Sequence, residues 1–445
     1  MGFKLIIILS AMAILSFFVG HAGAEVILAK DIYSGVNSSN PSGLTNVNGT
    51  LFFAADNGIN GEELWRASGT GGETPRFVKD INPGGNSSPS GLTNVNGTLF
   101  FAADNGTNGV ELWKSNGTAS GTVLVKDINE FVQASSSNPN ELTNVNGILF
   151  FAADNGVNGV ELWRSNGTEA GTVLVEDIRL GGNSTPSELT HVNGTLFFTA
   201  DDGAVGRELW RHDPVAGTTV LVEDINTGNL GADSSNPGEL TNVGGTLFFA
   251  ANDGANGREL WKHDPVAGTT VLVKDIRPGA NNSSNPGELT NVNGRLFFAA
   301  DDDGTHGREL WKSDGTDAGT VEVKDIWAGI DSSSPAELTG GSLLFTADDG
   351  ANGRELWESD GTDAGKLIVK DIRTGANGSS PTELTNVGGV LFFAADDGIK
   401  GRELWRSSAA NGVIFPGGNG CFIETAVLDI PHQIYAWILK TFWDK

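Results

Sequence analysis

The chain has 445 residues, among them 62 Gly, 23 Phe and 11 Trp, and a formal charge of −27. So many large aromatics exclude a collagen or a disordered linker, and the glycine points to a turn-rich, all-β protein with a packed core. The charge repels phosphate backbones and so excludes nucleic acid as a partner class. The one cysteine, Cys421, leaves no intrachain disulfide, and a domain of this length can build its core without one.

The first element is an address label. Lys4 supplies a positive start, Leu5 to Val19 is almost continuously apolar, and Ala22-Gly23-Ala24 makes a small-residue cleavage site. Residues 1–24 therefore read as a signal peptide, the mature chain starting at Glu25. The apolar run is short for a membrane span, and no transmembrane span is expected in the mature chain. The expected location is secreted or cell-surface.

A repeat follows. The tripeptide Glu-Leu-Trp ends at Trp65, Trp113, Trp163, Trp210, Trp261, Trp311, Trp357 and Trp405, at spacings of 48, 50, 47, 51, 50, 46 and 48 residues. One unit, 287–329, divides into four short strands in chain order: 289–292, closed by the hairpin signal Asn293-Gly294; 295–300, rich in Leu and Phe; 308–313, carrying Trp311; and 320–326. Four antiparallel strands and their turns fill roughly 45–50 residues, the size of a propeller blade. Successive side chains in a strand face opposite ways, so the pair Phe297-Phe298 requires burial on both faces. Blades packed radially supply that, with the repeated Trp filling the wedge between neighbours.

The predicted fold is thus an all-β, eight-bladed β-propeller of four-stranded antiparallel blades over residues 25–408. Mature residues 26–32 match only the fourth strand of a unit, and the last unit stops after Arg406 without one. The N-terminal strand is therefore expected to complete the last blade and shut the ring. A competing segment, the Ala-Val-Leu-Asp-Ile run ending at Ile430, matches over a shorter stretch.

The segments Glu309–Ile326 (ELWKSDGTDAGTVEVKDI), Glu355–Gly365 (ELWESDGTDAG) and Glu111–Ile128 (ELWKSNGTASGTVLVKDI) resemble the bacterial ELWxxDGT repeat proteins. That resemblance implies a propeller-like fold and export, with no established activity or ligand. Two units depart from it: Pro214 and Pro265 replace a glycine, which leaves the shape of those outer turns open. Residues 409–445 form a Gly-rich linker and tail. Pro416–Ala426, with Cys421, Phe422 and Ile423, resembles the CFI-type tails of some exported prokaryotic proteins, with Glu424 as a departure. A sorting or processing role and a plain extension weigh equally.

Residues present in every copy sit at equivalent places around the ring, whereas catalysis needs different residues converging on one point. The repeated Glu, Trp, Asp and Gly therefore read as structural. The aspartates of the Lys-Asp-Ile segments (Asp31, Asp80, Asp127, Asp177, Asp224, Asp275, Asp325 and Asp371) are expected to pair with Arg or Lys or to cap turn amides. Acidic turns such as Asp201-Asp202-Gly203, Asp348-Asp349-Gly350 and Asp396-Asp397-Gly398 bring calcium into view, but they lack EF-hand spacing, and turn chemistry accounts for them. Among copy-specific residues, His212 and His263 are expected at the surface, as are His191 and His306 in turns. Trp327 reads as an exposed aromatic suited to sugar or protein contacts, and residues 131–134 decorate one rim.

No catalytic motif is present, so catalytic and cofactor-binding residues are assigned to none and the metal ligands stay unknown. The sequence favours an exported, non-catalytic binding or structural module whose partner is an extracellular protein or glycan. Two alternatives remain open: an axial-site enzyme resembling quinoprotein oxidoreductases, and a multivalent carbohydrate-binding, lectin-like protein.

Overall fold

The computed structural model describes residues 26–407, apart from 69–73, 131–134, 229–232, 280, 303, 341–342 and 363–364. The expected signal peptide 1–24, the tail 409–445 with Cys421, the 131–134 segment expected at one rim and the strand competitor ending at Ile430 lie outside the described residues.

Among those residues every regular element is a strand. Thirty-two strands form eight four-stranded antiparallel sheets, an eight-bladed β-propeller. Blade 6 shows why the repeat folds this way. Its strands are Gly287–Val292, Arg295–Asp301, Arg308–Ser313 and Val321–Lys324. Between the first two, Asn293 (φ 53°) and Gly294 (φ 83°) both lie in the left-handed region, as a type I′ turn demands.

The fourth strand is shorter than the sequence predicts. Its register shifts between Leu310 and Trp311, and the N–H of Ile326 leaves the ladder to donate to the Glu309 carboxylate at 2.8 Å.

The core lies between blades. Phe297, Leu310 and Val323 of blade 6 pack on Leu343, Phe345 and Ala347 of blade 7. The next residue, Phe298, faces the other way and joins Trp311, Phe248 and Leu260 between blades 5 and 6. Eight such clusters follow one another around the molecule. Truncating one of these phenylalanines to Ala costs about 3–5 kcal/mol.

The ring is closed. The first strand of blade 1, Ser42–Val47, lies beside that of blade 8, Thr382–Val387. Strand Val26–Lys30 pairs antiparallel with Arg402–Ser407, setting Ile27 opposite Arg406 and Leu28 opposite Trp405, and so supplies the missing outer strand. Val26 is buried with Phe393 and Leu344 in the seam between blades 7 and 8.

Pro214 and Pro265 lengthen their hairpins. The third strands there reach Asp213 and Asp264, and the fourth strands, Thr218–Glu223 and Thr269–Lys274, have six residues where blade 6 has four. Asp213 closes the turn: its Oδ1 accepts the N–H of Val215 at 2.8 Å, and its carbonyl accepts that of Gly217 at 2.8 Å.

Candidate functional site

Antiparallel order puts the turn between second and third strands on the same face as the loop from each fourth strand to the next blade. The repeated carboxylates take their roles at that face. In every blade the Glu of Glu-Leu-Trp is fully buried. Glu259, for example, accepts the N–H of Ile276 at 2.9 Å and of Ser284 at 2.7 Å, and the Ser284 hydroxyl at 2.6 Å. The glutamate thus staples the strand end to the loop that follows it. Burial pushes these carboxyls up from their usual value, against the pull of those hydrogen bonds. Their symmetry and their partners make them structural.

Some Lys-Asp-Ile aspartates do what the sequence predicts, Asp325 accepting the turn N–H of Gly329 at 3.0 Å, while three pair with asparagine instead. The Asn60, Asn108 and Asn158 side chains donate to Asp80, Asp127 and Asp177 at 3.0, 2.6 and 2.7 Å. In blade 8, Lys400 takes that place, 3.4 Å from Asp31. The Oδ1 of all eight aspartates is buried without a hydrogen-bond partner. The acidic turns use their oxygens on their own backbone: Asp104 accepts the N–H of Gly106 at 2.7 Å, and Asn105 that of Thr107 at 2.9 Å.

Around the axis lies a feature the sequence reading missed. Six first strands carry a glutamate in the left-handed region, Glu141, Glu188, Glu239, Glu288, Glu337 and Glu383, with φ from 57° to 62°. Blades 1 and 2 place Gly43 and Gly91 there, at φ 63° and 62°. A non-glycine residue in this conformation costs about 1–2 kcal/mol, and a bond to the next blade offsets it. Glu141 accepts the N–H of Glu188 at 2.7 Å, Glu288 that of Glu337 at 2.8 Å, and Glu383, across the ring seam, that of Leu44 at 3.1 Å. Arg207, Arg258, Arg308, Arg354 and Arg402 begin the third strands of blades 4–8, where burial pushes each guanidinium down against the pull of neighbouring carboxylates. Blades 1–3 have Glu62, Val110 and Val160 instead, so the charged belt is broken on one side. The visible signal was a glutamate sharing a column with glycines.

The histidines separate sharply. His212 and His263 are buried, at 3% and 5% exposure, which corrects the surface placement expected for them. Each imidazole meets a threonine hydroxyl at 3.0 Å and packs 5.5 Å from Phe150 or Phe197. It replaces the Ser–Thr hydroxyl pair of other blades, as between Ser313 and Thr320 at 2.8 Å. His191 accepts the N–H of Gly194 at 2.9 Å and serves as a turn cap.

Among the described histidines, only His306 makes an ion pair. Its Nδ1 lies 2.9 Å from Glu322 Oε2 and 3.1 Å from Asp302 Oδ2. The three side chains are close enough to share one metal ion. The hydrogen bond and charge of Glu322 push His306 up from its usual value, while burial pushes Glu322 up. Trp327 is half-buried rather than free: a Cβ on Gly350, in the next blade's turn, would lie 2.6 Å from its Cε2.

The same face carries an open polar cleft of about 660 Å³ lined by Arg179, Gly181, Asn183, Asp201 and Arg207, in which Arg179 bridges blades to Asp201 at 2.6 Å. Loops on the same face, spread over several blades, expose large aliphatic side chains: Val36, Ile59, Val157, Leu180, Ile330 and Ile399. The opposite face exposes Val215 and Val266 at its turn tips.

No protein-family model and no curated protein matches the chain. Solved structures do. One from a study of two prolyl endopeptidases aligns with 87% of this chain and 58% of its own, at 13% identity and TM-score 0.52. Prolyl oligopeptidase B from Galerina marginata aligns with 83% of this chain and 57% of its own, at 10% identity and TM-score 0.50. A likeness at this identity shows the fold alone. The chain therefore spans a little under three-fifths of the length of the two enzymes it is similar to.

Proposed function

We propose that this chain is an exported, non-catalytic β-propeller of the ELWxxDGT repeat kind that binds an extracellular protein or glycan. The binding surface is the face formed by the second-to-third-strand turns and the loops between blades. One observation carries the reading: the exposed aliphatic tips and the polar cleft of Arg179, Asp201 and Arg207 share that face, while the repeated carboxylates are spent on backbone stapling. Exposed apolar side chains beside polar, partly desolvated groups are the usual makings of a recognition surface. The chain's own cleft is open and polar, which suits a macromolecular contact better than an enclosed small substrate.

The test uses the purified mature chain on a glycan array and on intact cells of the producing strain. The expected result is saturable binding that Ile59→Asp, Leu180→Asp or Ile399→Asp weakens at least tenfold while Val215→Asp leaves it unchanged. Equal effects from both faces would overturn the reading. So would turnover of a proline-containing peptide, or of an alcohol with a redox dye, by the same preparation.

A further inference from the structure

Eight copies of one unit provide an internal standard for every position. Opposite the repeated Trp, the fourth strand is apolar in seven blades: Leu28, Phe77, Leu124, Leu174, Leu221, Leu272 and Ile368. Blade 6 places Glu322 there, opposite Trp311. The third-strand turn carries Asn at the matching position in five other blades, Val205 and Lys400 in two, and His306 in blade 6. The two departures occur in the same blade and touch, at 2.9 Å.

A carboxylate on an apolar wall is costly unless its charge is matched. Asp302 adds a second carboxylate, held by the N–H of His306 on its Oδ1 at 3.2 Å. Asp325 adds the field of a third, acting on both His306 and Glu322, and its Oδ1 is buried without a partner. That oxygen is unpartnered in every blade, but only blade 6 sets an imidazole and an extra carboxylate beside it. The local charge exceeds what one imidazolium can neutralise.

We propose that Asp302, His306 and Glu322 bind a divalent first-row metal ion of the zinc class. Imidazole among carboxylates suits such an ion better than calcium or magnesium, which prefer oxygen ligands alone. An ion about 2.0–2.2 Å from each ligand sets neighbouring ligand atoms about 3.4 Å apart. The observed 2.9 and 3.1 Å therefore open by a few tenths of an ångström on binding, within reach of turn and side-chain rotation. The His306 side chain is 44% exposed, which leaves the outer side of the ion to water or to a group brought by a partner.

Sister blades supply controls that fold. His306→Asn and Glu322→Leu each restore what the repeat uses elsewhere. The full mature chain, stripped with chelator, is titrated with Zn²⁺ by calorimetry and with Co²⁺ by visible absorption. The proposal expects a site of one ion per chain whose affinity falls at least tenfold in either variant, with unchanged circular dichroism. Zinc binding that both variants retain, binding of calcium in place of zinc, or no binding at all would overturn it; the last leaves His306 and Glu322 as an ion pair only.

Discussion

The hydroxyl of Ser284 donates to the buried carboxylate of Glu259 at 2.6 Å, twenty-five residues away and in the loop that carries the chain to the next blade. The same staple joins Ser39 to Glu403 across the ring seam at 2.7 Å. Replacing Glu259 by Ala removes the acceptor for that hydroxyl and for the N–H groups of Ile276 and Ser284. Leaving such groups buried and unpaired costs about 1–3 kcal/mol each. The urea midpoint of Glu259→Ala is therefore expected to fall well below that of Glu62→Ala, which in blade 1 stands just before the stapling glutamate, at a position where blades differ.

Acid reveals the staples together. Glu63, Glu111, Glu161, Glu208, Glu259, Glu309, Glu355 and Glu403 are all raised by burial above the ordinary 4.5. A carboxyl raised in the folded state binds its proton before the unfolded chain does. Its stabilising contribution is full below the unfolded value and is lost as pH rises through the folded value. Relief of the acidic self-repulsion acts in the same direction. Asp213, Asp253, Asp264, Asp314, Asp349 and Asp360 are lowered below 3.8 and act oppositely, losing their contribution below that value. Melting temperature is expected to rise from pH 7 toward pH 4.5 and to drop under 3.8. A steady fall from pH 7 would show that the staples are unperturbed.

Trp327 and Gly350 form a second testable contact between blades. Gly350 and Gly389 both have positive φ, 80° and 89°, but only Gly350 faces a ring where a Cβ would stand. Gly389→Ala is expected to lose about 1 kcal/mol from backbone strain alone. Gly350→Ala is expected to lose more, and Trp327→Ala in the same chain to return the excess. The double-mutant cycle in urea isolates that coupling.

Much of this architecture was legible because the repeat states it many times. The even spacing of Trp65 through Trp405 fixes the number of blades, and Phe297-Phe298 fixes burial on both faces. The lone fourth-strand sequence at Val26 announces the closure. What escaped depends on contacts between copies or on the register within one. The belt of Glu141 to Glu383 left only a glutamate-for-glycine column as its trace, whose meaning needs the backbone angle and the N–H of the next blade. His212 and His263 read as surface residues, yet each substitutes an imidazole for a buried serine hydroxyl. Asp302 and His306 are close in sequence, but Glu322 reaches them only through its strand register. A column-by-column comparison of the copies would have shown Glu322 as a charge in an apolar column.

The shut ring is tested most directly by a cross-link at its seam. Ile27 and Arg406 face each other in the pairing that completes blade 8, and Cα atoms so paired lie about 4.5–5.5 Å apart, within disulfide reach. In a Cys421→Ser background, the pair Ile27→Cys and Arg406→Cys is predicted to oxidise within the monomer and to raise stability by about 2–4 kcal/mol. A chain that stays reduced under mild oxidant, or links only to a second molecule, would contradict the closure.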